Sequence, residues 1–245
     1  MAKKGTLIVT GGSSGIGKAV LSSLCNEFNN CLCLDVKSGV DVRNYESVLL
    51  FMQKNISENE ENFLFSNAGV VFFTDNTGQV VDFANAPIEQ LHDMVDINLK
   101  GQINVLHAFV KTLQEKNATG NIVVTSSISS FYSGGVNMAV YDATKAAISA
   151  LAQRLVPYRN IRINIIEPGS VRTNIGGWNP DFSMNQNGLD VVRAGQDGDK
   201  KALGKEVTIN QIVSLVKFLF FEDHGMNGSK IVVDEGLTLN SRDNY

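Results

Sequence analysis

Short apolar runs rich in valine and isoleucine alternate with longer segments of helical period, and few folds accept that rhythm. A strand without a polar face must be covered on both sides, as in a parallel sheet with crossover helices above and below it. The predicted strands are Leu7–Thr10, Cys31–Asp35, Asn62–Ser66, Ile122–Thr125, Arg162–Glu167 and Lys230–Val233, and helical periods span 16–26, 88–116, 140–155 and 209–221. The expected fold class is α/β: a doubly wound parallel sheet in three layers, α/β/α, forming one domain over residues 1–245. Between Asp35 and Asn44 there is little room for a helix linking second and third strands, so a third strand is expected only as a remnant near Val40.

The turn Thr10-Gly11-Gly12-Ser13-Ser14-Gly15-Ile16-Gly17 follows the first strand and opens the first helix, the context that gives a glycine fingerprint its meaning. Glycines let the backbone approach a pyrophosphate, and the helix N-terminus offers free N–H groups and the positive end of a dipole. The turn is expected to be the nucleotide cradle of a Rossmann-like sheet, the alternative being a plain strand-to-helix connection, with Gly11, Ser13, Ser14, Gly15, Ile16 and Gly17 as its residues. Asp35, ending the second strand, can accept hydrogen bonds from both hydroxyls of an adenosine ribose and would repel a 2′-phosphate, which points to NAD rather than NADP, the alternative being a turn carboxylate. Lys37 lies close enough to weaken that preference, while Ser14 places no basic residue where a 2′-phosphate would need one.

Tyr141 and Lys145 are four residues apart within a helical period, so their side chains share one face. A phenol ordinarily titrates near ~10, and a neighbouring ammonium is expected to lower that value toward proton exchange with an alcohol or carbonyl. A Tyr-x-x-x-Lys step is common on solvated helices, and it gains meaning here from the glycine turn.

A net charge of −4 lacks the basic excess that a phosphate backbone attracts, so nucleic acid is not an expected partner. Cys25, Cys31 and Cys33 lack zinc-site spacing and read as buried, reduced thiols of a cytoplasmic protein; no metal is expected. The apolar run after Met1-Ala2-Lys3-Lys4-Gly5 is too short for a signal sequence or membrane span, and no later run is long enough, so no membrane association is expected.

These elements together resemble the short-chain dehydrogenase/reductases in their compact single-domain branch, over nearly the whole chain. Thr10 to Gly17 fits TGxxxGxG, Asn67-Ala68-Gly69 fits NAG, Asn98 with Gly101 fits NxxG, Tyr141 with Lys145 fits YxxxK, and Pro168-Gly169 followed by Thr173 fits the PG motif and its threonine. The resemblance implies hydride transfer between a nicotinamide and a carbon bearing hydroxyl or carbonyl. Tyr141 would be general acid/base, Lys145 would tune it and hold the nicotinamide ribose, and Asn98 would hold a water leading the proton to solvent. The family serine usually lies thirteen residues before the tyrosine, where this chain has Ile128; Ser127, which ends the strand, is assigned instead, with Ser129 and Ser130 as stand-ins. For the cofactor the resemblance adds Asp41 and Val42 at the adenine, Asn67, Ala68 and Gly69 at the adenine ribose, and Pro168, Gly169, Val171 and Thr173 about the nicotinamide.

The expected function is NAD-dependent interconversion of a secondary alcohol and a ketone, catalysed by Asn98, Ser127, Tyr141 and Lys145. A silent NAD-binding sensor or scaffold, and a non-redox step such as dehydration, are the alternatives. Residues 174–206 carry Trp178 and Phe182 in a polar, glycine-bearing background and are expected to form a substrate lid, with Phe131 and Tyr132 adding aromatic lining or merely packing the loop. Arg172 and Arg193 leave an acidic substrate open. The helices about 88–116 and after Tyr141 carry more apolar residues than one face needs; Val105, Leu106, Phe109 and Ala150 are interface candidates, and the resemblance implies a homotetramer or homodimer.

Overall fold

A computed structural model describes residues 3–71, 73–75, 78–132, 135–171 and 206–240. Six strands form one all-parallel sheet: β1 (Lys4–Thr10), β2 (Phe28–Leu34), β3 (Asn62–Ser66), β4 (Gly120–Thr125), β5 (Ile161–Pro168) and β6 (Lys230–Val233). Their order is β2-β1-β3-β4-β5-β6, so the chain starts near the middle, runs to one edge and returns to build toward the other.

Strand alternation sorts the core into two layers. Ile8, Leu64, Ile122, Val124, Ile163 and Ile165 face one side, under α2 (Tyr45–Asn55), α4 (Gln102–Glu115) and α5 (Ala139–Arg154). Leu7, Val9, Phe63, Phe65, Val123 and Ile166 face the other, under α1 (Gly15–Leu24) and α6 (Ile209–Phe221). Helix α3 (Ile88–Val95) precedes α4, and the short α7 (Leu237–Asn240) ends the described chain.

Three expectations need correction here. No strand forms near Val40. Asp35 starts a capping box with Ser38, Gly39 takes a left-handed φ of 88°, and Val40 N–H donates back to Asp35 O, so the short stretch is consumed by a turn and β2 remains the sheet edge. Nor are Cys25 and Cys31 buried thiols: the turn after α1 brings them to a Cα–Cα distance of 5.3 Å, within bridging range, and they form a disulfide. Cys33 alone is free, half-buried rather than buried, and the cysteines no longer argue for a cytoplasmic location. Finally, Val105, Leu106 and Phe109 are fully covered by the sheet rather than free for an interface, whereas Ala150 is exposed. The apolar excess of α4 is spent on the chain's own core.

Among the described residues no helix is long and apolar enough to cross a membrane.

Candidate active site

The C-terminal ends of β1, β3, β4 and β5 meet the first turns of α1 and α5, and the expected residues gather there. At the tip of β1, the Thr10 hydroxyl accepts from the N–H groups of Asn67 (2.8 Å) and Ala68 (3.0 Å), fastening the glycine turn to the Asn67-Ala68-Gly69 turn. Gly11 is left-handed, with φ 66°. At Gly17 a Cβ would lie 2.4 Å from Gly11 O and 2.9 Å from Asn67 Nδ2, so only a bare backbone fits. Ser14 precedes α1 without its side chain capping the helix, leaving first-turn N–H groups to other partners. A diphosphate suits that cradle.

Asp35 reaches the same turn. Its Oδ1 accepts from Lys37 N–H at 2.9 Å and its Oδ2 from Ser13 N–H at 3.4 Å. Asp41 is engaged by Arg43 through its backbone N–H and guanidinium, and that side-chain bond holds its carboxyl below the usual range. Val42 packs against Gly101, where a Cβ would lie 2.6 Å from Val42 Cγ2.

Asn98 sits in a π-helical turn (Asp96–Gly101) between α3 and α4. Its Oδ1 accepts from Val70 N–H at 2.8 Å, while its Nδ2 donates to Val70 O at 2.7 Å and faces Thr144 Oγ1 at 3.4 Å. The amide is thus occupied with backbone and Thr144, and the water-holding role rests on none of these bonds. A Cβ on Gly69 would lie 3.1 Å from Asn98 Oδ1 and 3.7 Å from Lys145 Nζ, so the bare glycine keeps this corner open.

Tyr141 and Lys145 share one face of α5, with the Lys145 ammonium 5.4 Å from the Tyr141 ring centre. Lys145 is only 3% exposed, and its Nζ donates to Thr125 O at 3.1 Å. The Ser127 hydroxyl lies beside the Tyr141 phenol and works against its upward shift, and it donates to Pro168 O at 3.4 Å. Ser126, next in the strand, turns the other way and donates to Lys145 O at 2.9 Å. One expectation reverses: burial, not the ammonium, dominates the phenol and pushes it up to about 12, and burial also brings Lys145 down to about 8.

Between about 8 and 10.5 the folded chain binds fewer protons at Lys145 than the unfolded chain, so stability rises with pH; above 10 Tyr141 keeps a proton the unfolded phenol loses, and stability falls. Urea unfolding between pH ~8 and ~10 should show a gain on the order of 1 kcal/mol per pH unit that Lys145→Met lacks. Parallel slopes in the two proteins would refute it.

Pro168, Gly169 and Val171 complete the rim: Gly169 N–H donates to Val233 O, and Val171 bridges to Val207. Thr173, Arg172, Arg193 and the expected lid up to residue 205, with Trp178 and Phe182, lie outside the described residues. Phe131 is 56% exposed beside the site. The sequence reading missed a buried polar cluster behind the site, in which Glu167 meets Ser130 and Ser149. The one available signal was a glutamate within the otherwise apolar stretch Ile165-Ile166-Glu167-Pro168.

A family model described as enoyl-(acyl carrier protein) reductase matches residues 2–238. An uncharacterized oxidoreductase of Schizosaccharomyces pombe is 24% identical over 191 residues, covering 73% of this chain and 64% of that protein, so the chain spans less than two thirds of that relative. Trans-4-hydroxycyclohexanecarboxylate dehydrogenase of Sinomonas cyclohexanicum is 30% identical over 230 residues, covering 91% of this chain and 79% of that protein. Among solved structures, NAD+-bound xylitol dehydrogenase superposes with a TM-score of 0.73 at 26% identity, covering 96% of this chain and 99% of that one. Other solved chains of the same fold hold NADP or NADPH.

Proposed function

The chain belongs to the short-chain dehydrogenase/reductase family, and from that premise we propose that it interconverts a secondary alcohol and a ketone, with NAD as the hydride carrier. The observation that carries the reading is the convergence of Ser127, Tyr141 and Lys145 on one corner beside Gly69 and the glycine cradle. A bound nicotinamide would supply the hydride chemistry; orientation and proton handling fall to the chain's own residues. Gly11, Ser13, Ser14, Gly15, Ile16 and Gly17 would receive the diphosphate. Asp35, Asp41, Val42, Asn67 and Ala68 would receive the adenosine, and Pro168, Gly169, Val171 and Thr173 the nicotinamide side.

Tyr141 stands protonated at neutral pH, the state that donates a proton to a carbonyl oxygen. Ser127 lies beside the phenol and would orient the same oxygen. Lys145, brought by burial close to its own titration near 8, would hold the nicotinamide ribose beside the phenol. Asn98 fixes the Val70 backbone beside them. The similarity to a cyclic hydroxy-acid dehydrogenase and a polyol dehydrogenase favours small cyclic or hydroxylated substrates. A homodimer or homotetramer belongs to the same reading, to be checked by light scattering.

The test is titration with NADH and NADPH, then a panel of secondary alcohols with NAD, following nicotinamide absorbance. Turnover on any member supports the reading. NADH binding without turnover across a broad panel favours a silent nucleotide-binding protein, and absence of binding overturns the cradle. Asp35→Ala should shift the NADP to NAD affinity ratio tenfold or more, about 1.4 kcal/mol; a wild type that already prefers NADPH would refute the role given to Asp35.

A further inference from the structure

Glu167 is 1% exposed, lies in β5 immediately before Pro168, and takes no part in the chemistry proposed above. An ionisable group is not buried so fully without partners. Its partners lie on two separate elements. The Ser130 hydroxyl, in the 3-10 turn Ile128–Ser130 that Ser127 caps, donates to Oε1 at 2.7 Å. The Ser149 hydroxyl, one helical turn beyond Lys145 on α5, lies 2.8 Å from the same oxygen. Ser149 is also 2.8 Å from the Ser126 hydroxyl, which in turn donates to Lys145 O. Lys230 Nζ, 3.6 Å from Oε1, offsets the charge from the solvent side.

One carboxylate oxygen therefore joins the turn that carries Ser127 to the helix that carries Lys145 and Tyr141. Ser127 itself donates to Pro168 O, the residue after Glu167, so the strand end grips the turn twice. We propose that Glu167 is a positioning residue of the active site, clamping the Ser127 turn and the α5 helix in mutual register through Ser130 and Ser149. It touches no reacting atom. Its effect reaches the substrate oxygen through the placement of Ser127 relative to Tyr141, where displacements of about 1 Å cost large factors in rate.

The inference rests on the dehydrogenase reading for its kinetic consequence, but the clamp can be measured separately. Glu167→Gln keeps the acceptor oxygen; Glu167→Ala removes it. Glu167→Ala is expected to lower kcat tenfold or more with KM changed by less than about threefold, while Glu167→Gln stays within about threefold of wild type in both. Should Glu167→Ala fail to fold, the Ser130→Ala/Ser149→Ala double variant carries the test with the same expected loss. Amide hydrogen exchange should quicken together in residues 127–131 and 145–150 of Glu167→Ala and not of Glu167→Gln. A kcat within twofold of wild type in folded Glu167→Ala, an equal loss in Glu167→Gln, or unchanged exchange in both segments overturns the clamp. If the wild type turns over no alcohol or ketone, the dehydrogenase reading falls, and the exchange experiment alone decides the clamp.

Discussion

Tyr141→Phe should cut turnover about a thousandfold, within the range general acid/base groups supply, and leave NADH affinity within about twofold. The ring is retained, so the packing of Tyr141 against Val71, Phe73, Leu91 and Met94 survives and the variant should fold. What is lost is the hydroxyl that would, on the proposed function, give its proton to the substrate oxygen. Phenylalanine also relieves the site of a buried hydroxyl whose Ser127 partner keeps another acceptor in Pro168 O. Stability should therefore change by less than about 1 kcal/mol. Steady-state rates, a fluorescence titration with NADH and a thermal melt make the check together. Turnover within tenfold of wild type would remove Tyr141 from the chemistry.

Gly17→Ala should weaken NADH tenfold or more, because a Cβ would sit 2.4 Å from Gly11 O and the glycine turn must move to admit it. Overpacking of this kind costs about 1–3 kcal/mol, and the moving part is the backbone that would meet the diphosphate. Gly225→Ala is the contrast. Its φ is 66° and a Cβ there meets open space, so it should lower stability by about 1 kcal/mol and leave NADH affinity as it was. Equal affinity loss in both variants would point to general destabilisation instead of a damaged cradle.

The sheet was legible because its strands are apolar on both faces: the run around Ile8 and that around Ile122 leave no alternative to a covered parallel strand. The ends of the elements were less so. Predicted as beginning at Cys31, β2 starts at Phe28, since Asn29 and Asn30 are poor strand formers and the strand is held by the pairing of Phe28 and Asn30 with Lys4 and Thr6 of β1. The long helix from 88 to 116 is interrupted by a π turn that no periodicity announces, set by Asn98 bonding to Val70 across the fold. Local motifs such as TGxxxGxG and YxxxK placed the candidate site. The cystine and the Glu167 cluster depend on contacts between residues whose approach only the folded chain creates. The phenol's upward shift belongs to the same class, because burial has no signature within YxxxK.

In the folded chain Asp35 braces the glycine turn, beside any role it takes toward ribose hydroxyls. A carboxylate offers about four lone-pair directions. Lys37 N–H, Ser13 N–H and the Ser38 N–H of the capping box take most of that set, which leaves room for a ribose hydroxyl. A ribose hydroxyl could complete this set without dislodging the braces. A substitution that changes the preferred dinucleotide would also untie the loop, so selectivity and loop order would have to be rebuilt together, with the Ser13 N–H given a new acceptor.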